Sequence, residues 1–293
     1  MTPGEEDILD AARLEIGRLR TLPAMSTSTQ RLLMALQRPD VSVDDLSRLI
    51  EDSPSLTARL LGLANAAYFG CRGRVYSVRQ AIYQVLGMGV VKSLVLTHVL
   101  CDEIDACRCR AFDPRLFWSV SVLTAAFSQQ IALRARVTPQ LDPSQAYVGG
   151  LLVNIGLLAM AHVFPEPMAE ALREVESRQK KLSLLLRKRH GLDQYEAGAW
   201  LIERWRLPEI YRLAVAQHSS RQIGNRKPCD LARLTRLAHV LAHDCYYQEN
   251  HCADYADAAG TLGVEIAELE LILENMRARR EDVLELAKLL GGV

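Results

Sequence analysis

The chain has 293 residues, and its 35 basic and 35 acidic side chains cancel in formal charge. That balance argues against a protein built to coat duplex nucleic acid, which needs a clustered excess of Lys and Arg. Apolar residues make up 49% and charged residues 24%, enough to fill the core of one large helical domain or two smaller ones.

Helical periodicity runs through the chain and no strand-type alternation stands out, so the expected class is all-α. The N-terminus is acidic and lacks the basic-then-apolar layout of a signal peptide. Seven cysteines, scattered without the rhythm of a secreted scaffold, point to a reducing cytoplasm. Leu9, Ala12, Ile16 and Leu19 line one face of a first helix. Ser42 with Asp45 makes a capping-box pattern ahead of Leu46, Leu49 and Ile50. Ser53-Pro54 sets a cap and an N1 proline before Leu56, Leu60 and Leu63. Ser77 caps a helix carrying Ala81, Ile82, Val85 and Leu86, with Gly87 as its stop. Residues 90–100 are apolar nearly all round, as in a core helix.

Asp113-Pro114 opens a long helix through Ala132, and Asp142-Pro143 opens the next. Residues 146–164 carry no charge, which is long enough to cross a bilayer. Yet Gly149, Gly150, Asn154, Gly156 and His162 interrupt the stretch, and no Lys or Arg anchors its ends. It reads as the central helix of a soluble bundle, with Val153-Asn154 at its middle. An exposed helix after Pro165 and a basic run over residues 178–190 follow. Asp193 starts a helix through Trp205, which Leu207-Pro208 breaks before Glu209 to His218. Residues 219–228 form the best linker, and further helices are expected over residues 231–247, 264–276 and 281–290.

Several stretches, taken together, carry a family resemblance. They are Leu22-Pro23; Leu46-Ser47-Arg48-Leu49-Ile50-Glu51-Asp52-Ser53-Pro54-Ser55-Leu56; and Leu60-Leu61-Gly62-Leu63-Ala64-Asn65-Ala66-Ala67-Tyr68-Phe69-Gly70. Ala81-Ile82, Leu86-Gly87, Trp118, Gly150-Leu151-Leu152, Ile155-Gly156, Gly198-Ala199-Trp200-Leu201 and Trp205-Arg206-Leu207-Pro208 follow in order. Over about residues 18 to 220 this order resembles the HDOD domain, a bacterial output module related to the HD phosphohydrolases. The resemblance implies a multi-helix bundle of HD-like type with additional C-terminal helices. It divides the chain into residues 1–220, the HDOD-like domain, and residues 221–293, a helical extension that packs on it or serves as a docking surface.

In HD hydrolases a first His, a His-Asp pair and a later Asp bind the metals that activate water. By the resemblance, Val120 stands at the first of these positions and Val153-Asn154 at the pair. Gln194 stands for a further His, Gln217-His218 for a double His, and the last Asp falls near Ala242, His243 or Asp244. Only His218 survives, and one imidazole does not make a hydrolytic metal site. No catalytic residue, metal or cofactor is therefore expected. Val120, Asn154, Gln194 and His218 remain as a degenerate pocket.

Other constellations have plainer readings beside chemical ones. His239 and His243 share a helix face at metal-binding spacing, with Cys245, His251 and Cys252 downstream, or are simply packed and solvated. His98, Cys101, Cys107 and Cys109 offer zinc-like donors or are reduced thiols beside a core residue. Arg178, Lys180, Lys181, Arg187, Lys188 and Arg189 could receive an acidic partner, or form the wet face of an amphipathic helix. Arg277, Arg279 and Arg280 beside Glu281 invite the same two readings. Trp118, Trp200 and Trp205 read as bundle packing.

The leading expectation is a non-catalytic regulatory module that binds a signalling protein, such as a response regulator or a cyclic-dinucleotide enzyme, with neither nucleic acid nor membrane as partner. The alternatives are a nucleotide or small-ligand sensor built on the degenerate pocket, and a cryptic metal-dependent phosphohydrolase.

Overall fold

The computed structural model describes residue 14, residues 31–32, 34–35, 41–65, 73–88, 90–91, 94–95, 108–178, 181–204, 207–218 and 228–291. Among the described residues all regular structure is helical. Apart from Leu14, the expected first helix at Leu9 to Leu19 lies outside these residues, as do the Leu22-Pro23 and Ala66 to Gly70 motifs, Trp205-Arg206 and most of the 219–228 linker.

Local capping chemistry sets most helix starts. Ser42 Oγ accepts from Asp45 N at 3.0 Å to open α1 (Val43–Glu51), and Ser53 caps α2 (Pro54–Ala64) behind its N1 proline. Ser77 Oγ accepts from Gln80 N at 3.1 Å at the start of α3, which runs Val78–Gln80 as α-helix and Ala81–Leu86 as π-helix. Gly87, at φ 74°, ends it. Asp113 Oδ1 accepts from Arg115 N and Leu116 N at the head of α4 (Pro114–Ala132). Asp142 does the same for Ser144 N and Gln145 N at α5 (Pro143–Leu152).

Helix α4 is the axle of the bundle. From Phe117 to Ser128 every residue is buried, and the helix packs against both α5 and α11 (Asp230–Tyr247). Such all-round burial requires an apolar circumference, and each fully enclosed Leu, Val or Phe contributes about 1.5–3 kcal/mol. Trp118 lies in this core, its ring 5.0 Å from that of Phe117 in an edge-on pair. Gly150 lets α5 press onto α4: a Cβ there would meet Thr124 O at 2.7 Å and Ala125 Cα at 2.8 Å.

The uncharged stretch is buried for 83% of its apolar window, as the interior of the bundle demands. It is not, however, one helix with Val-Asn at its middle. Helix α5 ends at Leu152, and α6 (Ile155–Val163) begins after Asn154. Asn154, at φ −96° and ψ 4°, sits in the bridge region of backbone space. Its carbonyl accepts from Leu157 N at 2.9 Å, so a tight turn replaces the straight helical ladder.

Helix α7 (Pro165–Arg178) is half in the core through Met168, Ala169 and Ala171, rather than an exposed helix. Helix α8 (Leu182–His190) buries Leu185 and Leu186. Two of its cations are paired, Arg187 with Asp193 at 2.7 Å and Arg189 with Glu174 at 2.7 Å. The basic run is thus the charged face of an amphipathic helix. The Arg178 and Lys180 side chains lie outside the described residues.

Helices α9 (Gln194–Arg204) and α10 (Glu209–Ala216) form a packed pair. Beyond residue 228 the chain returns to the bundle. Helix α11 packs on α4, α5 and α10, and a 3-10 turn (Cys252–Tyr255) leads to α12 (Ala256–Gly260), α13 (Ile266–Ala278) and α14 (Arg280–Gly291). Helix α14 lies against α4 and α2. The C-terminal helices therefore complete the core that α4 organises.

Candidate functional site

Three helix ends converge around Asn154, Gln194 and His218, and short-range chemistry fixes each. At α9, Asp193 is buried and caps the helix, its Oδ1 accepting from Tyr195 N at 2.9 Å and Glu196 N at 3.0 Å. Glu196 returns the bond by accepting from Asp193 N at 3.0 Å, a capping box, while Arg187 holds the other Asp193 oxygen. This locks Gln194 and Tyr195 in the first turn. Helix α6 reaches α9 at Gly156, where a Cβ would stand 1.8 Å from Gln194 O. Only a glycine permits that approach, and it sets the Asn154 turn beside the start of α9.

At the end of α10, Arg236 from α11 donates to the carbonyls of His218 at 2.6 Å and Gln217 at 2.8 Å. Gln217 Oε1 accepts from Cys229 N at 2.7 Å. Gln217 is thus a bracket between α10 and the start of α11, and its neighbour His218 turns inward.

The polar centre is a chain of neutral groups. Asn154 Nδ2 lies 3.5 Å from His239 Nε2, and His239 Nδ1 lies 3.0 Å from His218 Nε2. With the amide as donor, His239 carries its hydrogen on Nδ1 and donates to His218 Nε2. His218 then carries its own hydrogen on Nδ1, which is buried and has no partner among the described residues. Gln194 Oε1 is likewise buried and unpartnered. The Tyr195 ring covers His218 at 4.6 Å between centroids, and the His243 ring follows His239 at 5.0 Å.

Burial dominates the electrostatics of this chain. It pulls the His218 imidazolium pKa down to about 3, with Arg236 acting in the same direction. Burial also holds His239 well below the ordinary histidine value, helped by His218 and His243, and lowers His243. The Tyr195 phenol is pushed up to about 12, again chiefly by burial. At neutral pH the cluster is therefore uncharged throughout.

Of the four expected pocket residues, Asn154 and His218 come together through His239. Gln194 is next to them through its backbone contact with Gly156. Val120 is buried on α4, one turn before Thr124, whose hydroxyl bonds to its carbonyl at 2.7 Å. Gly150 faces Thr124 and Ala125 across the antiparallel pair, so the Asn154 end of α5 falls in register with the Val120 end of α4. Val120 has no polar side-chain group to offer.

The α11 residue that reaches Asn154 and His218 is His239, one turn before the expected Ala242, His243 or Asp244. Asp244 faces elsewhere and bonds to His251 at 2.9 Å. The two His239 nitrogens face Asn154 and His218, while the His243 ring packs beside the His239 ring. A signal for His239 was present in the sequence: it follows Thr235 by four residues, on the inward side of an otherwise apolar helix face. In the other cysteine cluster, Cys109 is a buried free thiol whose pKa burial raises, and His98, Cys101 and Cys107 lie outside the described residues.

Comparison with known proteins places this bundle. The HDOD domain profile matches residues 22–221. The chain belongs to the HDOD domain family. An uncharacterised protein of Treponema pallidum is 25% identical over 196 residues, which are 66% of this chain and 36% of that protein. A solved structure of a candidate signal transduction protein from Marinobacter aquaeolei superposes with a TM-score of 0.76 at 20% identity, covering 98% of this chain and 65% of the other. A candidate phosphohydrolase from Shewanella amazonensis gives 0.75 at 22% identity, covering 96% and 98%. These structures share the fold. The HDOD chain here spans just over a third of the Treponema relative and just under two thirds of the Marinobacter one.

Proposed function

We propose that this HDOD chain is a non-catalytic regulatory module that passes a signal by binding another signalling protein in the bacterial cytoplasm. A two-component or cyclic-dinucleotide circuit is the setting, so a response regulator or a cyclic-dinucleotide enzyme is the expected partner. One observation carries the reading: at the positions that the resemblance assigns to metal ligands stand Val120, Val153-Asn154 and Gln194, and the surviving His218 is tied with Asn154 into a neutral chain through His239. A hydrolytic metal pair needs carboxylates and imidazole lone pairs converging on one point. Here the His239 Nε2 lone pair faces Asn154 and the His218 Nε2 lone pair faces His239. Val120 and the amides of Asn154 and Gln194 offer little in place of the missing donors. The residues present do not fit the metals, and the network reads as a strut joining the turn after α5, α10 and α11.

Affinity capture from the native host, using the full chain, tests the proposal. Removing residues 221–293 would strip α11 from the core, so exposed-surface variants are the proper controls. One signalling protein that rebinds the pure chain saturably is the expected result; absence of any such partner counts against it.

A second reading has its own support. Gln194 Oε1 and His218 Nδ1 are a buried acceptor and a buried donor without partners among the described residues, as a small neutral ligand would require. Calorimetry against a nucleotide panel separates the readings, and no heat at high micromolar ligand removes the sensor. The cryptic phosphohydrolase draws support only from the fold it shares with the Shewanella protein.

A further inference from the structure

We propose that Asp244, Glu249 and His251 form a binding site for one zinc ion at the C-terminal end of α11. One donor atom from each residue lies within 4.8 Å of the other two. His251 Nδ1 stands 2.9 Å from Asp244 Oδ1 and 4.0 Å from Glu249 Oε2. Donors bound to a shared zinc at about 2.0–2.2 Å have separations of this size. An imidazole with two carboxylates suits zinc better than calcium or magnesium, which favour shells of oxygen alone. Three protein donors leave a further position for water or for a donor from outside the chain.

The charge around the three donors also suits a cation. The Asp244 side chain is only 4% exposed, and a buried carboxylate needs a counter-charge. Among the described residues neither Asp244 nor Glu249 has a Lys or Arg in ion-pair contact. Arg277 reaches this loop but donates to the Glu249 backbone carbonyl, not to its carboxylate. The two carboxylates share one imidazole, and Asp244 Oδ1 also accepts from the Tyr255 hydroxyl at 3.4 Å.

The backbone presents the three donors together. After Tyr247 ends α11, Gln248 takes a left-handed conformation at φ 60°. Glu249 N then donates back to Asp244 O at 2.8 Å, and His251 N donates to Asp244 Oδ2 at 3.0 Å. Glu249 and His251 are both about half exposed, so an ion can enter from solvent. Cys252 is buried beside them, its thiol pushed up to about 11 by burial, and stays a protonated neighbour outside the donor set. The site lies apart from the His218–His239 network and does not depend on the reading given to that network.

Calorimetric titration of the full chain with zinc chloride, after metal stripping and with the thiols kept reduced, tests the site. The expected result is one saturable site with a Kd of roughly 10 µM or tighter. Glu249→Gln and His251→Ala should each weaken it at least about tenfold. Both positions are exposed, so both variants should keep the helical circular dichroism of the parent. No saturable binding up to roughly 100 µM zinc, or equal binding by His251→Ala, overturns the site.

Discussion

Acidification from pH 7.5 to pH 5 is expected to destabilise the chain, with His218 alone responsible for about 2 kcal/mol. The sign follows from burial. In the unfolded chain His218 takes up its proton as pH falls through its ordinary value near 6.5, while in the fold its pKa is held at about 3. Between those two values the unfolded state binds the extra proton, so stability is fully present above about pH 6.5 and is lost progressively below it. His239 and His243 are lowered by the same burial and act in the same direction. Urea denaturation at the two pH values, on the parent and on His218→Gln, isolates the contribution. The parent should lose about 2 kcal/mol more than the variant; equal losses would mean that His218 is not held neutral by the fold.

Gly156→Ala should be the most damaging small substitution in the site. The added methyl would lie 1.8 Å from Gln194 O and 2.6 Å from Gly198 N, both of them backbone atoms that cannot rotate away. Relief requires α6 and α9 to separate, which moves the Asn154 turn from the start of α9. Overpacking ordinarily costs about 1–3 kcal/mol, and a clash with backbone on two sides belongs at or above the top of that range. Gly260→Ala is the control, because nothing lies within 4 Å of its added methyl. The control should be neutral or stabilising by up to about 1 kcal/mol. Near-parental urea stability for Gly156→Ala would show that α6 and α9 can separate at little cost.

Most of the fold was legible because helix starts are local. Ser42, Ser53, Ser77, Asp113, Asp142 and Asp193 each bind backbone within three residues, so their chemistry can be read without knowing what packs where. The break at Asn154 was not legible: an apolar run with helical composition gives no hint that a turn separates α5 from α6. That turn depends on contacts with distant segments, namely Gly156 against α9 and Asn154 against His239.

The candidate site was half legible, for the same reason. The family pattern singled out Val120, Asn154, Gln194 and His218, with a last position near Ala242, His243 or Asp244, and gave no hint of His239. His239 joins the network because α11 is rotated so that Thr235 and Ala238 face the core, and that rotation is a tertiary fact. The pairing of Asp244 with His251 across a left-handed turn at Gln248 has no spacing signature either.

The proposal that this HDOD scaffold carries no hydrolase chemistry is open to direct test. The most direct measurement is phosphodiester hydrolysis by the pure chain, incubated with manganese, iron or zinc, beside His218→Ala and His239→Ala. Turnover equal to the metal-only background in all three proteins is the predicted result. Metal-dependent turnover by the parent that disappears in either variant would contradict it.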